Sequence, residues 1–325
     1  MTQTTKPDPR GSRSLRADLD PSSRLIIAEA ERRGIAVELL APRAEYFRLR
    51  LGDRSIVCRE SLSELTTAVA LSRCDDKRIT ARVLREAGLR TPEQVEAATS
   101  ASNEAFLRDL GQVVVKPARG EQGRGISIGI RTNEALAWAI ERAAEVGTPV
   151  LLEEVVRGDD LRLLVMGHQL VAAAVRRPPA VCGDGQQTIE ALIAAESERR
   201  KAETEGASKI PLDAETRRCV QDAGYAFTDV LPRGQVLSVR GAANVHLGGT
   251  IRDVTAQLHP ALIEVAQRAS RALDIPVVGL DLIVRSIDAP DYWILEANER
   301  PGLANHEPQP TAARFVDLLF PESRR

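Results

Sequence analysis

The clearest periodicity along the chain is in HPALIEVAQRASRAL, where Leu262, Val265, Ala266, Ala269 and Leu273 recur at spacings of three and four and predict an amphipathic helix. SSRLIIAEAERRGIAVELLA predicts a helix that stops near Gly34, followed by a strand from Ile35 to Leu40. DDKRITARVLREAGL predicts another helix, with Ile79, Val83 and Leu84 on its apolar face and Gly88 as its stop. After the Pro-marked linker RTPEQ the expected order is helix, strand Val113 to Lys116, glycine-rich loop, strand Ser127 to Ile130, helix Asn133 to Val146, strand Val150 to Val155. LRLLVMGHQLVAAAVRR reads as two strands turning at Gly167 and His168. From about 186 to 225 the chain is charged and helix-forming, which suggests a surface excursion. VVGLDLIVR and YWILEA predict strands, and TAARFVDLLF a closing helix. Helices and strands intermixed in this way predict an α+β protein. The expected division is a flexible tail over 1–22, an N-terminal α/β subdomain over 23–90, a subdomain over 91–156 and a C-terminal one over 157–325.

Composition narrows the partners. With 43% of 325 residues hydrophobic, the chain can bury a substantial core. Its 44 Lys+Arg against 46 Asp+Glu leave a formal charge of -2, so no global basic field points to nucleic acid or to an anionic membrane. Cys58, Cys74, Cys182 and Cys219 are dispersed, without metal-finger spacing, which fits buried or incidental thiols in a reducing, cytoplasmic setting. No apolar run approaches about 18 residues, and MTQTTKPDPRGSRSLRADLD has no apolar core, so neither a membrane span nor a secretory signal is expected.

Three stretches carry candidate chemistry. In VVVKPARGEQGRGISIGI, Lys116 ends an apolar run and Gly120, Gly123 and Gly125 follow. Glycines let backbone N–H groups approach oxyanions, and a lysine before them adds a point charge suited to polyphosphate. The loop alone also fits a hairpin tip, and it matches neither the P-loop nor the dinucleotide fingerprint. A strand-end lysine is expected to be solvated, so that its removal leaves the fold intact. In VVGLDLIVR, Asp281 sits within an apolar strand, where a lone carboxylate is costly. Glu296 and Asn298 in ILEAN share one strand face and converge on Asp281 if the two strands form a hairpin. Such hard oxygen ligands suit Mg2+; the alternative is a buried carboxylate paired with an arginine such as Arg285 or Arg300. VLLEEVVRGDDLR offers backbone groups for a purine edge and an aspartate for ribose hydroxyls, or else is a charged turn.

The order of these motifs resembles the ATP-grasp superfamily, from about Arg24 to Pro321. The likeness is carried by DDKRITARVLREAGLRTP, VVVKPARGEQGRGISI, LLEEVVRGDDLRLLVMGHQLVAAAVRRPPAVCGDGQQTIEALI, RGAANVHLGGTIRDVTAQLHP, GLDLIV and ILEANERPGLANHEPQP. The resemblance implies two α+β lobes clasping ATP, with a small N-terminal subdomain and with ATP and Mg2+ as cofactors. It places Lys77 and Lys116 on the ATP phosphates, the loop Gly120 to Gly125 over them as a lid, and adenine against Glu153, Glu154 and Val156, with Asp160 on ribose. It assigns Mg2+ to Asp281, Glu296 and Asn298. Arg162, Arg176 and Arg240 fall at positions for substrate or transferring phosphate, and Asn244, Gly248 and Gly249 at a carboxylate-binding turn. His246 stands in that turn, where related branches read N-x-S-T-G-G, and Asn305 and His306 fall beside the reacting acyl group. The implied activity is an ATP-dependent carboxylate-amine ligase acting through an acyl phosphate on amino acids or acylated amino acids.

The ending NERPGLANHEPQPTAARFVDLLFP is most similar to N-acetylglutaminylglutamine synthetase. That enzyme ordinarily carries an acetyltransferase domain, for which this chain has no room, so a separate acetyltransferase is expected to supply the substrate. Ligases resembling cyanophycin synthetase or the glutathione synthetase half of the bifunctional enzyme stay open. So does a homo-oligomer. A non-catalytic ATP-binding regulator is the contrasting reading, against which the full set of Lys116, Asp281, Glu296 and Asn298 argues.

Overall fold

In the computed structural model, residues 18–120, 123–204, 206, 208–306 and 308–324 are described. Strands β1 (Ala36–Ala41), β2 (Tyr46–Leu51), β3 (Arg54–Arg59) and β4 (Leu62–Ser63) form an antiparallel sheet that follows helix α1 (Pro21–Arg32). Of the expected tail, residues 1–17 lie outside the described residues, and the rest is ordered: Asp20 caps α1 by accepting from Ser22 N, and Leu19 and Ser22 are buried. Helices α2 (Ala68–Asp75) and α3 (Lys77–Glu86) come next. On α3 Leu84 is buried and Val83 packs against the same core as expected, but Ile79 is exposed, and Lys77, Thr80 and Ala81 complete the buried face.

A four-stranded sheet follows, in the order β5 (Gln94–Glu96), β8 (Val150–Glu154), β6 (Val113–Pro117), β7 (Ser127–Ile130), covered by helices α4 (Ser100–Leu110) and α5 (Asn133–Ala144). Alternation along β6 sends Val113 and Val115 into the core with Leu107, Leu136 and Ala139, and turns Val114 and Lys116 to the opposite face.

The second half is built on a five-stranded antiparallel sheet in the order β13 (Thr250–Asp253), β10 (Gln169–Arg177), β9 (Asp159–Met166), β14 (Val277–Val284), β15 (Tyr292–Asn298). Gly167 and His168, both at positive φ, make the tight turn between β9 and β10. Leu161, Leu163, Val165, Val278, Leu280 and Leu282 cover one face and pack against Leu262, Val265, Ala266, Ala269 and Leu273 of helix α8 (Pro260–Leu273), together with Cys74 and Leu84. Each buried leucine or valine of this layer contributes about 1.5–3 kcal/mol. The other face is divided. At one end Leu164, Met166, Ala172 and Val277 meet α1, β2, β3 and helix α9 (Thr311–Leu319). At the other end the same face presents Asp160, Arg162, Arg176, Asp281 and Glu296.

The expected subdomain over 23–90 is therefore split by packing. Its sheet and α1 share a core with α9, while α2 and α3 join the core on the opposite face. Residues 186–225 are likewise more than a surface excursion. Helices α6 (Ile189–Glu203) and α7 (Ala214–Asp222), with strands β11 (Ala180–Cys182) and β12 (Val236–Ser238), enclose a core of Val181, Ile189, Ile193, Ile210, Val220, Phe227, Leu231 and Leu237. Much of that core comes from outside the charged window. All four cysteines are free thiols, with Cys58 and Cys74 buried. Among the described residues no helix is long and apolar enough to cross a membrane.

Candidate active site

The five-stranded sheet and the four-stranded sheet over residues 94–154 border a cavity of about 530 Å³, which residues 241–244 also line. Lys116 projects into it from β6, yet its Nζ donates to Glu153 Oε1 at 2.7 Å, and both side chains are buried. The solvated strand end expected for Lys116 is thus corrected, and so is the tolerance of its removal, because Glu153 would be left as a buried lone carboxylate. Lys77 is the first residue of α3, placed there by the Asp76 cap. Its Nζ donates to Gly120 O at 3.1 Å and lies 3.4 Å from Glu296 Oε2, so it links the start of the glycine loop to β15. Gly120, Gly123 and Gly125 all adopt positive φ, and a Cβ on Gly125 would stand 3.0 Å from Val146 Cγ2 and 3.3 Å from Ala143 Cα. Residues 121 and 122 of this loop lie outside the described residues.

From Glu153 the chain runs through Glu154, Val155 and Val156 along the cavity to Gly158. A Cβ on Gly158 would lie 2.1 Å from Val284 O, so only glycine lets this segment pass so close to β14. Val114, Ile126, Ile128, Val156, Ile283 and Leu295 supply apolar walls, a lining suited to a planar base.

The β14–β15 hairpin forms as expected, with Asp281 opposite Glu296 and Gly279 opposite Asn298. Asp281 is buried. It accepts from Arg162 NH1 at 2.6 Å and Asn298 Nδ2 at 3.2 Å, and Arg176 NH2 lies 3.0 Å away. The arginines beside it are therefore Arg162 and Arg176, not Arg285 or Arg300. Burial by itself would raise the Asp281 carboxyl, but these two guanidinium groups prevail and hold it well below the usual carboxylate range. Asp160, paired through Oδ1 with Arg176 Nε at 2.8 Å, is pushed up to about 6 by burial and by the neighbouring Asp281 charge. Arg162 lies against Gly279, where a Cβ would come 2.8 Å from its Cζ.

Asp281, Glu296 and Asn298 offer two carboxylates and an amide from one sheet face, a hard-oxygen donor set whose chemistry fits Mg2+. The set holds only two carboxylates; among the described residues no group of three or more His, Cys, Asp or Glu is arranged around a metal position.

Residues 74–209 match the model of the ATP-grasp domain. The chain carries an ATP-grasp domain. Over 323 residues it is 32% identical to the cyanophycin synthetase of Trichormus variabilis, covering 95% of this chain and 36% of that protein. The glutathione biosynthesis bifunctional protein GshAB of Clostridium perfringens is 26% identical over 324 residues, covering 93% of this chain and 41% of that protein. The chain thus spans well under half the length of these relatives. The crystal structure of a bifunctional glutathione synthetase from Pasteurella multocida superposes with a TM-score of 0.66 at 23% identity, over 95% of this chain and 44% of that one. The α+β ATP-grasp fold read from the motifs is the fold observed.

Several expected site residues stand apart from the cavity's charged wall. Arg240 is buried, but its NH1 donates to Asp213 Oδ1 and Thr216 Oγ1, both at 2.7 Å, near the start of α7. Asn244 lines the cavity while its Oδ1 accepts from His246 N at 2.8 Å, capping its own turn. Gly248 and Gly249 complete that turn. A Cβ on Gly248, which has positive φ, would fall 2.4 Å from Ile210 Cγ1, and one on Gly249 2.8 Å from the backbone oxygen of Asn244, so local conformation and packing already favour both glycines. His246 and Asn305 are exposed. His306 is buried with no partner at Nδ1, and burial followed by the Arg162 and Arg176 charges lowers its pKa to about 4.

Apart from Val156, sequence reasoning missed the apolar walls, and it gave no role to the glycines Gly158 and Gly279. A wall residue has the same character as a core residue, so periodicity gives it no mark. Gly279 does leave a trace: it stands two positions before Asp281, on the same strand face, in a run otherwise free of small residues.

Proposed function

We propose that this chain is an ATP-dependent carboxylate-amine ligase that forms an amide bond through an acyl phosphate, with ATP and Mg2+ as cofactors and small amino-acid or acylated amino-acid substrates. The observation that supports it best is one cavity lined by Lys116 and Gly123 from one sheet and its loop and by Arg176, Asp281 and Glu296 from the other sheet, with Lys77 3.4 Å from Glu296 and with Arg162 and Asn298 bonded to Asp281. In this reading the segment Glu153 to Val156 and the apolar walls hold the base, Asp160 the ribose, and the two lysines the phosphates. Mg2+ on Asp281, Glu296 and Asn298 would neutralise developing phosphate charge. Arg162 and Arg176 stand where a transferring phosphoryl group needs cations, and the glycine loop closes over the site to exclude water.

The chemistry balances without a protein nucleophile. A substrate carboxylate oxygen attacks the γ-phosphorus and ADP leaves. The amine lone pair then forms the C–N bond as the C–O bond to phosphate breaks, and the nitrogen, starting as an ammonium, releases one proton before attack and one after. Positioning and charge are what the chain must supply.

The finer reading is a dipeptide synthesis of the N-acetylglutaminylglutamine type, resting on the stretch NERPGLANHEPQP. An acetyl cap removes the donor's own amine and leaves one carboxylate to activate, and a separate acetyltransferase would supply that donor. The relatives named above keep open ligases with other amino-acid substrates. The test is incubation with ATP, Mg2+, glutamine and either free or N-acetylated glutamine, following ADP release and identifying products by mass spectrometry. A new amide is expected only with the capped donor. Equal rates with both donors, or turnover only with γ-glutamylcysteine and glycine, removes the dipeptide assignment and keeps the ligase; absence of acceptor-dependent ADP release across amino acids and N-acetylated amino acids removes the ligase.

A further inference from the structure

Helix α7 meets three parts of the molecule through side chains that the proposed chemistry does not use. Toward the four-stranded sheet over residues 94–154, Glu215 is buried and accepts from Arg142 NH1 on α5 at 3.2 Å, while Arg218 NH2 donates to the backbone oxygen of Ile128 on β7 at 3.1 Å. Arg218 also donates to Glu215, from Nε at 3.1 Å and from NH2 at 2.8 Å, so the two ties act as one unit. β7 is an edge strand, and an edge carbonyl is open to a donor from outside the sheet. Toward the cavity, Asp213 and Thr216 receive Arg240 NH1, and residues 241–244, which follow Arg240, line the cavity. Toward its own subdomain, α7 buries Val220, and the Arg217 guanidinium lies 4.6 Å from the centroid of the Phe227 ring.

The two units joined by Glu215 and Arg218 have separate apolar cores, one around Val115 and Leu136, the other around Ile193 and Val220. Units that share polar ties rather than a core shift readily against each other. Their direct contact lies at the cavity: a Cβ on Gly241 would stand 3.4 Å from Ile128 Cβ, and one on Gly123 3.7 Å from Asn244 Nδ2. Movement of the sheet away from α7 therefore opens the cavity along this seam. It carries Ile128 outward, and with it Lys116 on the adjacent strand β6.

We propose that Glu215 and Arg218 are positioning residues that latch the four-stranded sheet to the turn over residues 241–249 and so hold the cavity closed around nucleotide. The inference rests on the ATP-grasp reading of that cavity. Neither residue lines the cavity; they act through Arg142 and Ile128. Nucleotide that binds the closed arrangement better is lost more readily once closure is no longer held in advance.

The chain supplies its own reporter. Of its two tryptophans, Trp138 on α5 lies with its ring centroid 5.2 Å from the Arg142 guanidinium that pairs with Glu215. The experiment uses the full chain carrying Trp293→Phe, which leaves Trp138 as the sole indole and serves as the reference. Affinity for ADP with Mg2+ is measured by calorimetry and Trp138 emission by fluorescence, with melting temperatures alongside. Arg218→Gln is expected to raise the Kd for ADP about tenfold. Its Trp138 emission should differ from the reference without nucleotide and return toward it when ADP and Mg2+ are added, which loss of a merely structural contact would not produce. Arg142→Gln, which breaks the latch from the sheet side and leaves α7 intact, should raise the Kd in the same direction. Arg217→Gln, which removes a contact within the subdomain alone, should leave it within about twofold. An unchanged Kd in both latch variants, or an equal rise in Arg217→Gln, would overturn the proposal while leaving the nucleotide site in place. If the reference chain binds neither ADP nor ATP, the nucleotide reading of the cavity falls, and this inference with it.

Discussion

The two sheets that face the cavity bury charge in different ways. The four-stranded sheet over residues 94–154 holds one pair, Lys116 with Glu153, sealed at 2.7 Å. The five-stranded sheet distributes charge over a network in which Asp281 meets both Arg162 and Arg176, and Arg176 meets both Asp160 and Asp281. An isolated buried pair has no reserve: removing either member strands the other. In a network the remaining partners redistribute, and a phosphate or cation can enter by exchanging one contact for another.

Lys116→Met is the strongest way to break this contrast. It leaves Glu153 buried without a cation and is expected to cost about 3–5 kcal/mol of stability, read by urea denaturation, along with activity. Adding Glu153→Gln should restore most of the stability but not the activity. Arg162→Met, by comparison, leaves Arg176 beside Asp281 and should cost less than half as much. Equal losses at the two sites would erase the distinction between pair and network.

His306 sharpens it next. Its folded pKa of about 4 lies below the ordinary value of 6.5, so the native state favours the neutral ring. The stability this represents is fully present above pH 6.5 and is lost as pH falls from 6.5 toward 4, on the order of 3 kcal/mol. His306→Gln should flatten that part of the stability–pH curve. A curve of unchanged slope would show that burial and the neighbouring guanidinium charges do not hold His306 neutral in the folded protein.

Glu296→Ala probes the open edge of the network. The Glu296 side chain retains 31% of its exposure, so stability should change little. Turnover should fall by roughly 10²-fold, with a shifted dependence on Mg2+ concentration, if Glu296 is a metal ligand. An unaltered Mg2+ dependence would place it with the ion pairs instead.

Legibility followed the range of the forces involved. The helix over Pro260–Leu273, the β9–β10 turn and the β14–β15 hairpin could be read because apolar period and turn chemistry act over a few residues. Ile79 was misplaced because a short helix with a polar N-terminus buried Lys77, Thr80 and Ala81 toward the cleft and neighbouring helices, a choice made by those partners. The stretch 186–225 read as an excursion because its charged helix supplies only part of a core completed by Val181, Phe227, Leu231 and Leu237.

By itself the sequence determined that Lys116 precedes a glycine loop, that Asp281 sits in an apolar strand, and that Glu296 and Asn298 share one face. These are consequences of backbone geometry within single strands, where a side chain's direction follows from its parity. Only the tertiary structure decided that Glu153 closes over Lys116, that Arg162 and Arg176 rather than Arg285 or Arg300 meet Asp281, and that Arg240 turns to Asp213. Charges act through space, and their partners are set by which strands become neighbours. That order, β13-β10-β9-β14-β15, arises from packing two apolar layers on one sheet, not from any residue's position along the chain.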